Sequence, residues 1–324
     1  MRMLAVDLDG TLLGRDGQVS PRNLRALRAS EQAGVEIVIA TGRRHSYAMQ
    51  ALRSLGLSEN NVLISSNGGV TRTLGARLLD RTLLPRETAE WLCAQLGEYR
   101  HLLLVTFDRV MPDGEDLRGA LVVEELAELH DSISRWIAAN ERYIERVVPI
   151  ESALGREGLV QMMVCGSIER MRAAEALLTT SRKVQAVGLT PLSRHEVRDT
   201  ASGVEPAERI GVVNFKAEAA LHRTEYPERD LSIVDILPAG CSKGAALLQL
   251  ASARGVRAED IVAMGDNWND VPMLEAAGTA VLMGNAPEDL KQAARRRGWT
   301  IGARNDEDGV AEAVEKALDL RVRC

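Results

Sequence analysis

The chain has 324 residues, 45% of them hydrophobic, with 46 acidic against 40 basic side chains and a net charge of −6. That length suits one large or two ordinary domains with a sizeable core. The acidic balance and an aromatic content of 3% argue against a nucleic-acid partner, which needs a basic face and stacking rings. Cysteines stand at 93, 165, 241 and 324 with no Cys-x-x-Cys pair, so thiolate metal ligation is not expected. Reduced thiols, an N-terminal apolar run too short for a signal peptide, and no stretch of transmembrane length predict a cytoplasmic protein without membrane contact.

Met3 to Val6 reads as a short buried strand running straight into Asp7. Residues 12–19 suit a small hairpin turning at Asp16-Gly17. Ser20-Pro21 then opens a helix, with Ser as cap and Pro preorganised at the first helical position, and Gly34 ends it. Val35 to Ala40 is an apolar run suited to a central parallel strand. Thr41-Gly42-Arg43 and a helix to about Gly56 follow. Val62 to Ser65 gives a third strand, leading to Asn67-Gly68-Gly69. This alternation predicts an α/β fold with a doubly wound, mostly parallel, Rossmann-like core sheet.

The pattern changes near Leu83. Residues 84–231 mix strand-like runs, such as Leu102 to Phe107 and Val160 to Cys165, with helical ones. The segment is too long for a structureless loop in a compact domain. It is expected to be an inserted α/β cap, with 1–83 and 232–324 as the core. The internal order from Thr190 to Asp230 does not resolve. The core is expected to resume with a strand at Ser232 to Leu237 and a helix at Lys243 to Arg254. A strand at Ile261 to Met264, a helix at Asp270 to Ala277, a strand at Thr279 to Met283 and a helix at Asp308 to Leu318 complete it.

Four constellations carry chemistry. Asp7-Leu8-Asp9-Gly10-Thr11 follows the first strand, and residues two apart on an extended chain point the same way. Two carboxylates 4 Å apart repel by roughly 4 kcal/mol at an effective dielectric near 20. A shared proton or a bound cation relieves that, and oxygen ligands select a hard ion such as Mg²⁺. Thr41-Gly42-Arg43 combines a hydroxyl with backbone N–H groups at a helix start, as an anion cradle or an ordinary capped turn. Lys243 opens a helix, where a cation is unfavourable unless an anion is near. Gly265-Asp266-Asn267-Trp268-Asn269-Asp270 gathers oxygen ligands after another buried strand, or simply caps the next helix. The five histidines show no paired ligand spacing, and Trp268 reads as packing.

In this order the four resemble the haloacid dehalogenase-like hydrolases, and within them the Cof-type sugar-phosphatase branch. That family carries D-x-D-G-T, T-G-R, S-K-G and G-D-x-x-N-D after successive strands. Here they read Asp7 to Thr11, Thr41 to Arg43, Ser242 to Gly244 and Gly265 to Asp270. The likeness continues in Ser66-Asn67-Gly68, in Val281 to Ala286 and in Asn305 to Val310. It covers the core, whereas the insert matches in position and size alone.

The resemblance implies a Mg²⁺-dependent phosphatase acting on a small phosphate monoester, a sugar phosphate or similar metabolite, through an aspartyl-phosphate. Asp7 would be the nucleophile and Asp9 the general acid and base. Thr41, Gly42, Lys243 and Asn269 would hold the phosphoryl group. Asp7, the Asp9 backbone carbonyl and Asp266 would hold the metal, with Asp270 in support. The inserted cap would exclude water and select the substrate. A monomer or homodimer is expected. A phosphomutase or phosphotransferase would use the same Asp7 and Asp9. A non-enzymatic phosphosugar-binding protein would not need a nucleophile.

Overall fold

The computed structural model of the protein describes residues 1–126, 130–187 and 217–322. The chain begins with β1 (Met3–Asp7), α1 (Pro21–Gln32), β2 (Glu36–Ala40), α2 (His45–Leu52), β3 (Val62–Ser65), β4 (Val70–Thr73) and β5 (Leu78–Arg81). It continues through α3 (Arg86–Gln95), β6 (Leu103–Phe107), β7 (Leu121–Val123), α4 (Asp131–Asn140), β8 (Ile144–Arg146) and β9 (Leu159–Gly166). Next come α5 (Ile168–Thr179), β10 (Val184–Val187), β11 (Ala219–Tyr226), β12 (Leu231–Pro238) and α6 (Lys243–Arg254). The last elements are β13 (Ile261–Gly265), α7 (Val271–Ala276), β14 (Thr279–Leu282), α8 (Glu288–Arg297), β15 (Thr300–Ile301) and α9 (Gly309–Val322).

Among the described residues these strands form two sheets. One has eight strands ordered β15-β14-β13-β1-β2-β3-β4-β5, parallel except for the β3-β4-β5 meander. Its side chains alternate as a pleated strand requires. Leu4, Val6, Ile37 and Ile39 pack toward α1, α2 and α9, whereas Met3, Ala5, Val38 and Ala40 pack toward α6, α7 and α8. Helices on both faces explain the continuous apolar runs of these strands. β1 lies between β13 and β2, with Asp7 opposite Ala40. The strand order runs outward from β1 on both sides, through β2 and β3 on one and β13 and β14 on the other, so the crevice at its carboxyl end is where an open α/β sheet binds ligands.

The second sheet runs β10-β11-β12-β9-β6-β7-β8. One face, with Val105, Met162, Val164, Val234 and Ile236, buries against Leu92, Met171 and Leu178 of α3 and α5. The other face carries Leu104, Gln161, Met163 and Ile233 over the strand ends of the first sheet.

The expected core strand at 232–237 is corrected here. Leu231–Pro238 pairs antiparallel with both β11 and β9, in the second sheet. The return to the first sheet therefore falls after Pro238, not at 232. An interior strand buried on both faces is apolar in whichever sheet it sits, so the run Leu231 to Pro238 carried no signal of its membership. The β4–β5 extension, α8 and β15 were not anticipated either. Of the stretch from Thr190 to Asp230, whose order the sequence did not show, residues 190–216 lie outside the described residues. Ser20 does cap α1, its Oγ accepting from Asn23 N at 3.1 Å, and residues 13 and 19 form the expected small flap bridge.

Arg44, at the start of α2, is buried among residues of the inserted segment. Its Nε lies 2.8 Å from Asp116 Oδ2 and its Nη2 donates to Asn140 Oδ1 at 2.9 Å. The guanidinium also lies over the rings of Trp136, at 5.8 Å, and Tyr143, at 5.6 Å. Removing one partner of so buried a pair costs about 3–5 kcal/mol. Among the described residues no helix is long and apolar enough to cross a membrane. Cys93, Cys165 and Cys241 are buried and free.

Candidate active site

Asp7 ends β1 and is buried. Facing it is Lys243, the first residue of α6, whose cap Ser242 accepts from Ala245 N at 3.0 Å. Lys243 Nζ lies 2.6 Å from Asp7 Oδ1 and 2.6 Å from Asp270 Oδ1. This answers the question a lysine at a helix start poses, since two carboxylates offset the unfavourable dipole. Asp270 Oδ2 accepts from the backbone N–H of Asp266 at 2.9 Å and of Asn267 at 3.0 Å. That turn is tight enough to need glycine at 265, where a Cβ would lie 2.5 Å from that of Asp270. Gly10, at φ +80°, is similarly pressed: a Cβ there would fall 2.2 Å from Asp266 Oδ2.

Asp266 has weak partners in Thr11 Oγ1 at 3.4 Å and Asn285 Nδ2 at 3.3 Å. Oxygens of Asp7, Asp266 and Asp270 all lie within 4.8 Å of one another, against one buried ammonium. Burial and the Asp270 charge push the Asp7 carboxyl up to about 8, with Lys243 opposing. Burial, then Asp7 and Asp270, hold Asp266 well above the carboxylate range. Burial works against the charge on Lys243, but Asp270 and Asp7 outweigh it and raise its pKa. Such an excess of buried negative charge fits a hard divalent cation, and Asp7 with Asp266 supplies the oxygen donors.

Asp9 projects beside Asp7 and is gripped by Arg43, Nε to Oδ2 at 2.8 Å and Nη2 to Oδ1 at 2.5 Å. The Arg43 guanidinium lies 4.7 Å from the centre of the Tyr47 ring. Thr41 is buried and its Oγ1 accepts from Arg43 N at 3.1 Å. Asn269 Nδ2 donates to Asn67 Oδ1 at 3.0 Å.

Asp7, Asp9, Thr41, Gly42, Asp266 and Asn269 therefore line one cavity of about 240 Å³ between the two sheets. Lys243 and Asp270 sit behind Asp7, fully buried. Arg43 of the Thr41-Gly42-Arg43 turn is thus taken up by a salt bridge to Asp9. Trp268 is partly buried and packs against the apolar core of the first sheet. The reading of the sequence missed the remaining walls and roof of the cavity, which include Tyr47, Trp136, Gln161, Met163 and Tyr226. Strand alternation puts Gln161 and Met163 on one face, but the sequence does not show which face looks at Asp7.

The family model described as haloacid dehalogenase-like hydrolase matches residues 4–152 and 208–314. The chain belongs to that family. It is 29% identical over 335 residues to the phosphatase YwpJ of Bacillus subtilis, covering 98% of this chain and 100% of that one. It is 27% identical over 329 residues to a 5-amino-6-(5-phospho-D-ribitylamino)uracil phosphatase of the same organism, with 98% of each covered. A pyridoxal phosphate phosphatase of Escherichia coli is also 27% identical, over 319 residues and 98% of each chain. Among solved structures, a haloacid dehalogenase-like hydrolase from Bacteroides thetaiotaomicron shares the fold with a TM-score of 0.68. It has 23% identity and covers 98% of this chain and 99% of its own. The chain is accordingly an enzyme, a phosphoric monoester hydrolase.

Proposed function

We propose that the enzyme hydrolyses a small phosphorylated metabolite through an aspartyl-phosphate on Asp7. The observation that supports this most directly is the placement of Asp7 and Asp9 on one cavity, with Lys243 Nζ 2.6 Å behind Asp7. An Asp7 carboxylate oxygen attacks phosphorus, the ester P–O bond breaks, and Asp9 gives its proton to the departing oxygen. Asp9 then takes a proton from water, whose oxygen attacks phosphorus, freeing Asp7 and inorganic phosphate. Thr41, Gly42 and Asn269 border the phosphoryl group, and Lys243 supports its charge from behind Asp7. Asp270 holds Lys243 in place.

Asp7, the Asp9 backbone carbonyl and Asp266 would hold Mg²⁺, which when bound keeps Asp7 ionised and offsets phosphoryl charge. The second sheet covers the cavity and excludes water during the step. The free, buried cysteines accord with a cytoplasmic setting. Acid quenching during turnover of a ³²P-labelled substrate tests the mechanism. Label on the protein is expected from the parent enzyme and not from Asp7→Asn. Turnover by Asp7→Asn within tenfold of the parent would overturn the assignment.

A further inference from the structure

The cavity above Asp7 and Asp9 is walled by Tyr47, Trp136 and Tyr226, with Leu104, Met163 and Ile233 filling the roof. The whole chain contains four tryptophans, four tyrosines and two phenylalanines, and its cores are built almost wholly from aliphatic residues. Three aromatic rings border this one cavity of about 240 Å³, whereas the far larger core behind the second sheet spreads Trp91, Tyr99 and Phe107 among more than twenty other, mostly aliphatic residues.

These rings are held in place by other contacts. Tyr47 and Trp136 meet edge to face, with centroids 6.2 Å apart and planes at 83°. Arg43 lies on Tyr47 while holding Asp9, and Arg44 lies near Trp136 while holding Asp116. The wall is therefore preorganised, which lowers the ordering cost of binding. A polyhydroxylated leaving group desolvated here would need a partner for each hydroxyl, and each one left unpaired costs binding energy. Of the cavity's polar side chains, Gln161 already donates its amide to Asp235, and Arg43 and Arg44 are held by Asp9 and Asp116. Thr106, Thr224 and Arg229 are few beside the apolar and aromatic lining. A flat ring would instead bury its faces against apolar and aromatic surface.

We infer that the preferred substrates are phosphate monoesters whose leaving group carries an aromatic or heteroaromatic ring close to the ester oxygen, rather than sugar phosphates. This rests on the phosphatase reading above.

The test compares kcat/KM of the purified enzyme with Mg²⁺ on benzyl phosphate and pyridoxal 5′-phosphate against glucose 6-phosphate and ribose 5-phosphate. Acetyl phosphate serves as a small ringless reference. The ring-bearing esters are expected to lead by about tenfold or more, the scale on which apolar pockets discriminate. Trp136→Ala and, separately, Tyr47→Leu are expected to shrink that lead, so that misfolding of one variant does not remove the test. Turnover of acetyl phosphate with sugar phosphates equal to or ahead of the ring esters overturns this inference and leaves the phosphatase reading standing. No turnover of any of these esters overturns both.

Discussion

Asn67 Nδ2 donates to Asp235 Oδ2 at 2.7 Å, tying the loop after β3 of one sheet to strand β12 of the other. Both residues are buried. Asp235 Oδ1 also accepts from Gln161 Nε2 at 2.5 Å, while Asn67 Oδ1 accepts from Asn269. A residue of the second sheet thus fixes two amides at the edge of the candidate phosphate pocket. Asp235→Ala leaves both donors without an acceptor and lets Asn67 shift. A fall of about 10- to 100-fold in kcat/KM is expected, since misplacement by an ångström has effects of that size. Steady-state kinetics that match the parent would detach Asp235 from the site.

The same carboxyl predicts a pH effect on stability. Burial raises Asp235 from 3.8 to about 7, with Gln161, Lys243 and Asn67 opposing. The folded value exceeds the unfolded one, so folding favours the protonated form. The contribution is fully present below about pH 4 and is lost as pH rises toward about 7, by up to about 4 kcal/mol. Urea unfolding at pH 5 and pH 8 should show a smaller loss across that window for Asp235→Asn than for the parent. Identical losses would mean that Asp235 does not titrate in this window.

Mg²⁺ should stabilise the protein through Asp7 and Asp266. An ion at a hundredfold its Kd adds about 2.7 kcal/mol by mass action. Because Asp7 is raised to about 8 without the ion, the gain should grow as pH rises toward 8. Thermal melts with Mg²⁺ or chelator across pH 6 to 9 read this out. Asp7→Asn should show little Mg²⁺ response and no loss of stability in chelator, because it removes one of three crowded carboxylates.

Lys243→Met removes the one cation between Asp7 and Asp270, both buried. Breaking a buried pair from one side costs about 3–5 kcal/mol. The variant should melt well below the parent and lose turnover, and adding Asp7→Asn should restore part of the stability. A double variant no more stable than Lys243→Met would contradict the charge argument.

Asp9→Asn should lower turnover of alkyl phosphates by about 10²–10⁴-fold, the usual weight of general acid–base catalysis. Aryl phosphates with good leaving groups should lose less. Equal losses on both would count against Asp9 as the acid of the first step.

The first sheet and its candidate site were legible because the motifs sit at the ends of parallel strands, where strand pattern and polar residue types coincide. Asp7, Thr41 and Asp266 each follow an apolar run that can only be a buried strand. The second sheet was harder. Leu231–Pro238 looks like any covered strand, so its sheet could be settled only by its partners β9 and β11. The sequence Val70 to Thr73 hid a strand because Thr and Arg alternate there without an apolar face. Tyr47, Trp136 and Tyr226 lie far apart in sequence and carry no spacing pattern. Their common cavity arises from how the second sheet sits over the first.

Two of the four tryptophans border that cavity or its loops: Trp136 lines it, and Trp268 stands next to Asn269. Trp91 packs against the far core of the second sheet, and Trp299 packs beside Ile301 in the first. Indole emission follows the polarity and packing around the ring, so Trp136 is placed to change colour or intensity when the cavity fills. The protein carries its own optical reporter of occupancy. In the arrested Asp7→Asn form, that signal would let ligands be titrated directly, with no label and no turnover to consume them.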